Sequence, residues 1–167
     1  SSAEAYTGTG WTPLPPMPHD TDEATACVLN GRLYVMGGRG CDKLQVLEWS
    51  EENGFAWTFK AELPAARYGA ASVLHHGKIW LIGGRVDHTP SSSVLIYDID
   101  ADSWGTGPAL PRAVTYAHAM TLNGEVYVVE DTNTWVYINA AWIDAVDSPR
   151  MPDLDGDRDH EPAQPPR

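Results

Sequence analysis

Long apolar runs, cysteines and basic residues are all scarce in this sequence, and each scarcity closes off a class of protein. The longest apolar stretches, such as the one around Ile79 to Ile82, end within a few residues at a glycine or a charge, far short of the roughly 18 residues that a membrane-crossing helix needs. No signal-peptide pattern precedes them. Cys27 and Cys41 are the two cysteines, too few for a disulfide framework; they favour a reducing, cytoplasmic compartment, with a single Cys27–Cys41 bridge left open. Eleven Lys and Arg stand against 23 Asp and Glu, a formal net charge of −12, which argues against the clustered cationic surface that nucleic acid requires. No nucleophile motif, phosphate loop or paired catalytic carboxylate stands out, and no second His or Cys follows His118 at metal-ligand spacing. The sequence therefore reads as a non-enzyme with no cofactor and no metal. It opens Ser1-Ser2-Ala3-Glu4 without an initiator Met, which implies a processed product, an excised segment or an incomplete reading frame.

What is present is a repeat. Trp11, Trp57 and Trp104 recur after 46 and then 47 residues, and so do Gly31, Gly77 and Gly124, the pairs Met17-Pro18, Leu63-Pro64 and Leu110-Pro111, and the aromatics Tyr34, Trp80 and Tyr127. The doublet Gly37-Gly38 returns as Gly83-Gly84 and degenerates to Glu130-Asp131. A period of that length marks supersecondary modules that bury their apolar faces by stacking on one another. Within a unit, small-residue strands (Thr25 to Leu29, Ala70 to Leu74) precede bulky ones (Arg32 to Met36, Ile79 to Ile82), a third strand (Leu44 to Trp49, Val94 to Tyr97) and a fourth (Ala56 to Lys60, and from Trp104). Arg85 to Ser92 reads as a polar loop. Four short antiparallel strands per unit is a propeller blade, so the fold class is all-β, three four-stranded blades of a partial propeller. The small first strands suit a crowded central channel, and the branched second strands suit the core between blades.

The pattern W-x5-[LM]-P, then LNG-[RE]-x-Y-V, then GG, then a hydrophobic strand ending in Tyr or Trp resembles the kelch repeat, most clearly in VLNGRLYVMGG and VLHHGKIWLIGG. The resemblance covers about residues 11 to 150 and includes a third copy, TLNGEVYVVED, that lacks both glycines. It implies a β-propeller of five to seven blades that binds a protein partner through loops on one face, most like the substrate-recognition part of ubiquitin-ligase adaptors. The alternative it carries is a kelch-type enzyme, a sugar isomerase or an oxidoreductase, with a site completed by missing blades.

By that resemblance the loops after the glycine doublets place Arg39, Arg85, Asp131 and Asn133 on the partner-binding face. The segments after each Pro add Asp20, Asp22, Arg67, Tyr68, Thr115 and Tyr116. Arg and Tyr are frequent binding anchors, and Arg39, Arg67 and Arg85 form a local basic rim suited to an acidic peptide, or brace loop carbonyls and neighbouring blades. In the first repeat Asp20, Asp22 and Glu23 stand where the second has Arg-Tyr-Gly, which gives the mouth an acidic side and a basic side.

The expected organisation is an extension over 1–10, repeats over 11–147 (units of about 17–63, 63–110 and 110–147) and an acidic, Pro-rich tail over 148–167 expected to be disordered. Asp153, Asp155, Asp157 and Asp159 alternate as in a calcium loop, but Arg158 and Gln164 occupy the positions that need Gly and Glu, so the run reads as solvated acid. Propellers typically have four to eight blades and three are present. A longer propeller, two chains completing a six-bladed ring, and an open arc are the three ways to account for that.

Overall fold

The computed structural model describes residues 2–131 and 133–145, so the acidic run from Ser148 lies outside the described residues. Sixteen strands account for the architecture of the described residues. The first blade orders β3 (Thr25–Leu29), β4 (Arg32–Met36), β5 (Leu44–Ser50) and β6 (Gly54–Lys60) from centre to rim. The second has β7 (Ala71–His75), β8 (Lys78–Ile82), β11 (Val94–Asp98) and β12 (Ser103–Thr106); the third has β13 (His118–Leu122), β14 (Glu125–Glu130), β15 (Asn133–Ile138) and β16 (Ala141–Asp144). All pairings are antiparallel between sequence neighbours within a blade. The described residues are thus all-β in four-stranded blades, as the repeats imply.

Local chemistry sets these hairpins. The turns Asn30-Gly31, His76-Gly77 and Asn123-Gly124 have both residues at positive φ (51° and 73°, 48° and 72°, 53° and 83°), the two-residue geometry that matches strand twist. The segment from Arg85 is not a plain loop: β9 (Arg85–Val86) pairs with β10 (Thr89–Pro90) across Asp87-His88, which takes the same left-handed pair. Ahead of the first blade, β1 (Ala3–Tyr6) pairs with β2 (Trp11–Leu14). In it Tyr6 faces Trp11 as Tyr97 faces Trp104 and Tyr137 faces Trp142, so β1 and β2 are the outer two strands of a preceding blade.

Two apolar layers lie between blades. Tyr34, Met36, Leu44 and Val46 of the first blade meet Ile79, Leu81, Leu95 and Tyr97 of the second. Val73, Trp80, Ile82 and Val94 of the second meet Val126 and Val128 of the third, with Trp135, Tyr137 and Trp142 packed against them. The rings of Trp104 and Trp142 fill these layers, and each recurring Trp donates its indole N–H to a carbonyl of the preceding linker. Trp57 donates to Pro15 O at 2.8 Å, Trp104 to Ala61 O at 2.9 Å and Trp142 to Pro108 O at 2.8 Å. The third blade is shorter, so its Trp falls off the 47-residue register while keeping the contact. At the centre the blades are tied by hydroxyls: Ser72 donates to Ala26 O at 3.2 Å, and Thr121 to Leu74 O at 2.5 Å.

The glycine doublets are required by the neighbouring blade. Gly38 N donates to Arg67 O at 2.7 Å and Gly84 N to Val114 O at 2.8 Å; a Cβ on Gly37 or Gly83 would collide with those same residues. Where the third repeat has Glu130-Asp131, no linker of the described residues makes that approach. Glu130 instead turns its carboxylate onto Thr115 N at 2.8 Å and Arg112 at 2.9 Å.

Candidate functional site

The inner strands border an open central hollow of about 560 Å³, lined by Ala24 to Ala26, Gly69 to Ser72 and Ala117 to Ala119, with Glu23, Tyr116 and His118 at its walls. The small side chains of the three first strands leave this space. At its mouth the three blades present equivalent residues in a row: Glu23, Gly69 and Tyr116 are separated by 46 and 47 residues. All three have left-handed backbone, with φ of 56°, 59° and 56°. Their main chains are joined, Gly69 N donating to Glu23 O at 3.0 Å and Tyr116 N to Gly69 O at 2.7 Å. Gly69 is needed there because the Tyr116 ring lies over it, and a Cβ would sit 2.8 Å from Tyr116 Cε1. For Glu23 and Tyr116 the same backbone is strained, a state that is often kept at functional positions.

Side chains converge on this row. The Tyr116 hydroxyl donates to Glu23 Oε2 at 2.6 Å, spanning the first and third blades. Arg39 Nη2 donates to the other oxygen, Glu23 Oε1, while Arg39 Nε lies 3.6 Å from Asp22 Oδ2. The guanidinium is 4.8 Å from the centroid of the Tyr68 ring. Tyr68 is held in turn by His88, its hydroxyl 3.0 Å from Nδ1, and by a main-chain bridge to Arg85. Arg85 Nη1 donates to His88 O at 2.9 Å. The Tyr116 hydroxyl bond, followed by Arg39, holds the Glu23 carboxyl below the usual range, and that bond pushes the Tyr116 phenol up. A groove of about 210 Å³ opens beside this network between Arg39, Ala66, Tyr68 and Asp87.

The structure therefore brings Arg39, Tyr68, Arg85, Tyr116 and Asp22 together. Arg67 is a different case: at 6% exposure it is buried, and its guanidinium donates to Gly83 O at 2.6 Å and Ser93 Oγ at 2.8 Å. Burial pulls its pKa down. Arg67 is a brace inside the rim, the role Thr21 fills in the first blade by donating to Gly37 O at 2.7 Å. Asp131 is exposed at φ 48° and Asn133 begins β15 opposite Glu130; Asp20 is exposed in the linker before the first blade. Reading the sequence alone passes over Glu23 as a central group, and His88 altogether. The signal for Glu23 was its register with Gly69, because a glycine at that position marks left-handed backbone and a shared place in the row.

Cys27 and Cys41 are unbridged. Cys41 is buried with its sulfur 3.7 Å from His19 Nδ1, and desolvation pushes the Cys27 thiol up to about 11. Among the described residues no group of three or more His, Cys, Asp or Glu is arranged to hold a metal, and no helix is long and apolar enough to cross a membrane.

Stacked four-stranded blades around a hollow, with a polar rim drawn from three repeats, define a repeat protein of the β-propeller class. The kelch motif matches residues 66–111. Kelch-like protein 23 of Mus musculus is 28% identical over 142 residues, covering 82% of this chain and 24% of the relative. Kelch repeat protein C2 of Vaccinia virus (strain Western Reserve) is 27% identical over 135 residues, covering 76% and 26%, and alpha-scruin of Limulus polyphemus is 29% identical over 126 residues, covering 71% and 14%. The solved structure of YjhT shares the fold, with a TM-score of 0.68 and 17% identity over 82% of this chain and 54% of that one. The chain belongs to the kelch-repeat family and spans about a quarter of the length of the first of these relatives.

Proposed function

We propose that the chain is a protein-interaction module whose mouth takes an acidic peptide of a partner protein. The observation that carries this reading is the convergence of Arg39, Tyr68, Arg85 and Tyr116 beside the central hollow. Arg39 and Arg85 supply charge, Tyr116 supplies an exposed ring and hydroxyl, and Tyr68 backs the Arg39 guanidinium; Arg and Tyr in such settings are common energetic anchors. Arg67 serves the site by fixing its loop, Asp20, Asp22 and Asp131 form the acidic flanks that select against acid placed elsewhere on the ligand, and Asn133 adds a neutral polar contact. The finer role we assign it is that of a cytoplasmic substrate-recognition part of a ubiquitin-ligase adaptor, as the kelch resemblance implies. The test is binding of an acidic peptide to wild type and to an Arg39→Ala, Arg85→Ala variant: affinity should fall by at least about tenfold, and unchanged affinity with an intact fold contradicts the reading.

The ring closes, on this account, with a second copy of the chain. The face of the second blade that carries Ile79, Leu81 and Tyr97 is covered by the first blade. The equivalent face of the first blade leaves Val28, Trp49, Phe55 and Phe59 exposed, an apolar surface of the kind that marks association.

A further inference from the structure

Arg39 does not wait empty at the mouth. Its guanidinium is already engaged by Glu23 Oε1, with Asp22 Oδ2 3.6 Å from Nε, while Glu23 Oε2 takes the Tyr116 hydroxyl at 2.6 Å. Both donors that an incoming carboxylate would use are thus occupied by one carboxylate of the same chain. Glu23 is held in this place at a backbone cost: it sits at φ 56°, where its repeat equivalent is Gly69 at φ 59°, and Tyr116 reaches it across that glycine from φ 56°. Two strained residues from different blades meeting over a glycine form a closed latch.

We propose that Glu23 is a built-in competitor for the acidic ligand: its carboxylate occupies the Arg39 and Tyr116 donors, so a partner's Asp or Glu binds by displacing it. This rests on the acidic-peptide reading of the mouth and adds its regulation and specificity. The free site is populated in proportion to latch opening, and the apparent dissociation constant is raised by that fraction. A lone carboxylate gains little by exchange for Glu23. A peptide that also engages Arg85 and the exposed Tyr116 ring gains contacts that Glu23 does not make, so the latch filters for extended acidic partners.

The test uses the full chain and acetylated hexaglutamate as probe, with hexaglutamine as the neutral control, in isothermal titration. Glu23→Gln removes the competing charge. Glu23→Gly removes the side chain and fits the left-handed backbone, so it keeps the test valid if the first variant is destabilised. Both should bind hexaglutamate about tenfold tighter than wild type if the open mouth is near one-tenth populated, Tyr116→Phe should show a smaller gain, and Arg39→Ala in the Glu23→Gly background should erase it. Asp100→Asn, which makes the same change in net charge at the opposite end of the blades, should leave affinity at the wild-type value. If wild type binds and loses affinity on Arg39→Ala, yet neither Glu23 variant binds more tightly, the competitor role is wrong and the acidic-peptide site stands. If no variant binds hexaglutamate, both fall.

Discussion

Asp102 accepts hydrogen bonds from the Tyr97 hydroxyl at 2.6 Å and from Ala61 N at 2.8 Å, while the Trp104 indole donates to Ala61 O at 2.9 Å. The linker between the first two blades is therefore clamped at both polar atoms of one residue. The Tyr97 bond, and then the Ala61 amide, hold the Asp102 carboxyl below the usual carboxylate range, and burial with the same bond pushes the Tyr97 phenol up. Asp98, held down first by Lys78, and Glu23, held down first by Tyr116 and Arg39 and faced also by Asp22 and Arg85, shift in the same direction. For a carboxylate with a depressed folded pKa the added stability is present above the unfolded value and is lost as pH falls through the folded one. Asp102→Ala should therefore lower the urea midpoint at neutral pH by the equivalent of about 1 kcal/mol and weaken the loss of stability on acidification. Equal midpoints for variant and parent at pH 7 would remove the clamp from the account. The sequence marks Asp102 only as a turn residue. Its partner Ala61 lies 41 residues away, and a contact at that range leaves no local pattern to read.

At the scale of elements, strand positions were largely legible because apolar alternation and the Asn-Gly or His-Gly turns fix both the pairing and the face. The glycine doublets were legible as strand ends, whereas the cause of their spacing lies in the next blade. Gly83, at φ 65°, would place a Cβ 2.4 Å from Val114 Cγ2 and 2.6 Å from Val114 O, whereas a Cβ on Gly77, at φ 72°, would meet nothing within 4 Å. Gly77→Ala should cost about 1 kcal/mol for its left-handed backbone alone, and Gly83→Ala clearly more, since the clash with Val114 adds to the same backbone term. Thermal melts of the two variants order them directly, and equal losses would show that the blades do not depend on that close approach. The small hairpin at Arg85 was read as loop for a physical reason: two-residue strands carry no periodicity, and its Asp87-His88 turn lacks the glycine that usually marks one.

Across the whole molecule, stacking of the three blades decides which apolar faces of the described residues are buried and which stay exposed. Trp11 repeats the Tyr-Trp pairing of the second and third blades yet is 69% exposed, because no described strand pairs with the other edge of β1. Light scattering of the 18.2 kDa chain at several concentrations should give twice that mass if the exposed face of the first blade closes on a second copy, and Phe59→Lys should return it to monomer; a monomer at every concentration contradicts the paired ring. The rim was legible in part. The kelch resemblance put Arg39, Tyr68, Arg85 and Tyr116 on one face, but burial of Arg67 and the Glu23 bond that joins Tyr116 and Arg39 depend on side chains meeting across blades. The central claim is that this rim, beside the hollow and away from the turns at the other end, is where a partner binds. Amide chemical-shift mapping during titration with acetylated hexaglutamate tests it most directly. Perturbations gathered at Asp22, Glu23, Arg39, Tyr68, Arg85, His88 and Tyr116 are the predicted result; perturbations centred on the opposite turns at His76, Asp100 and Asn139 would contradict it.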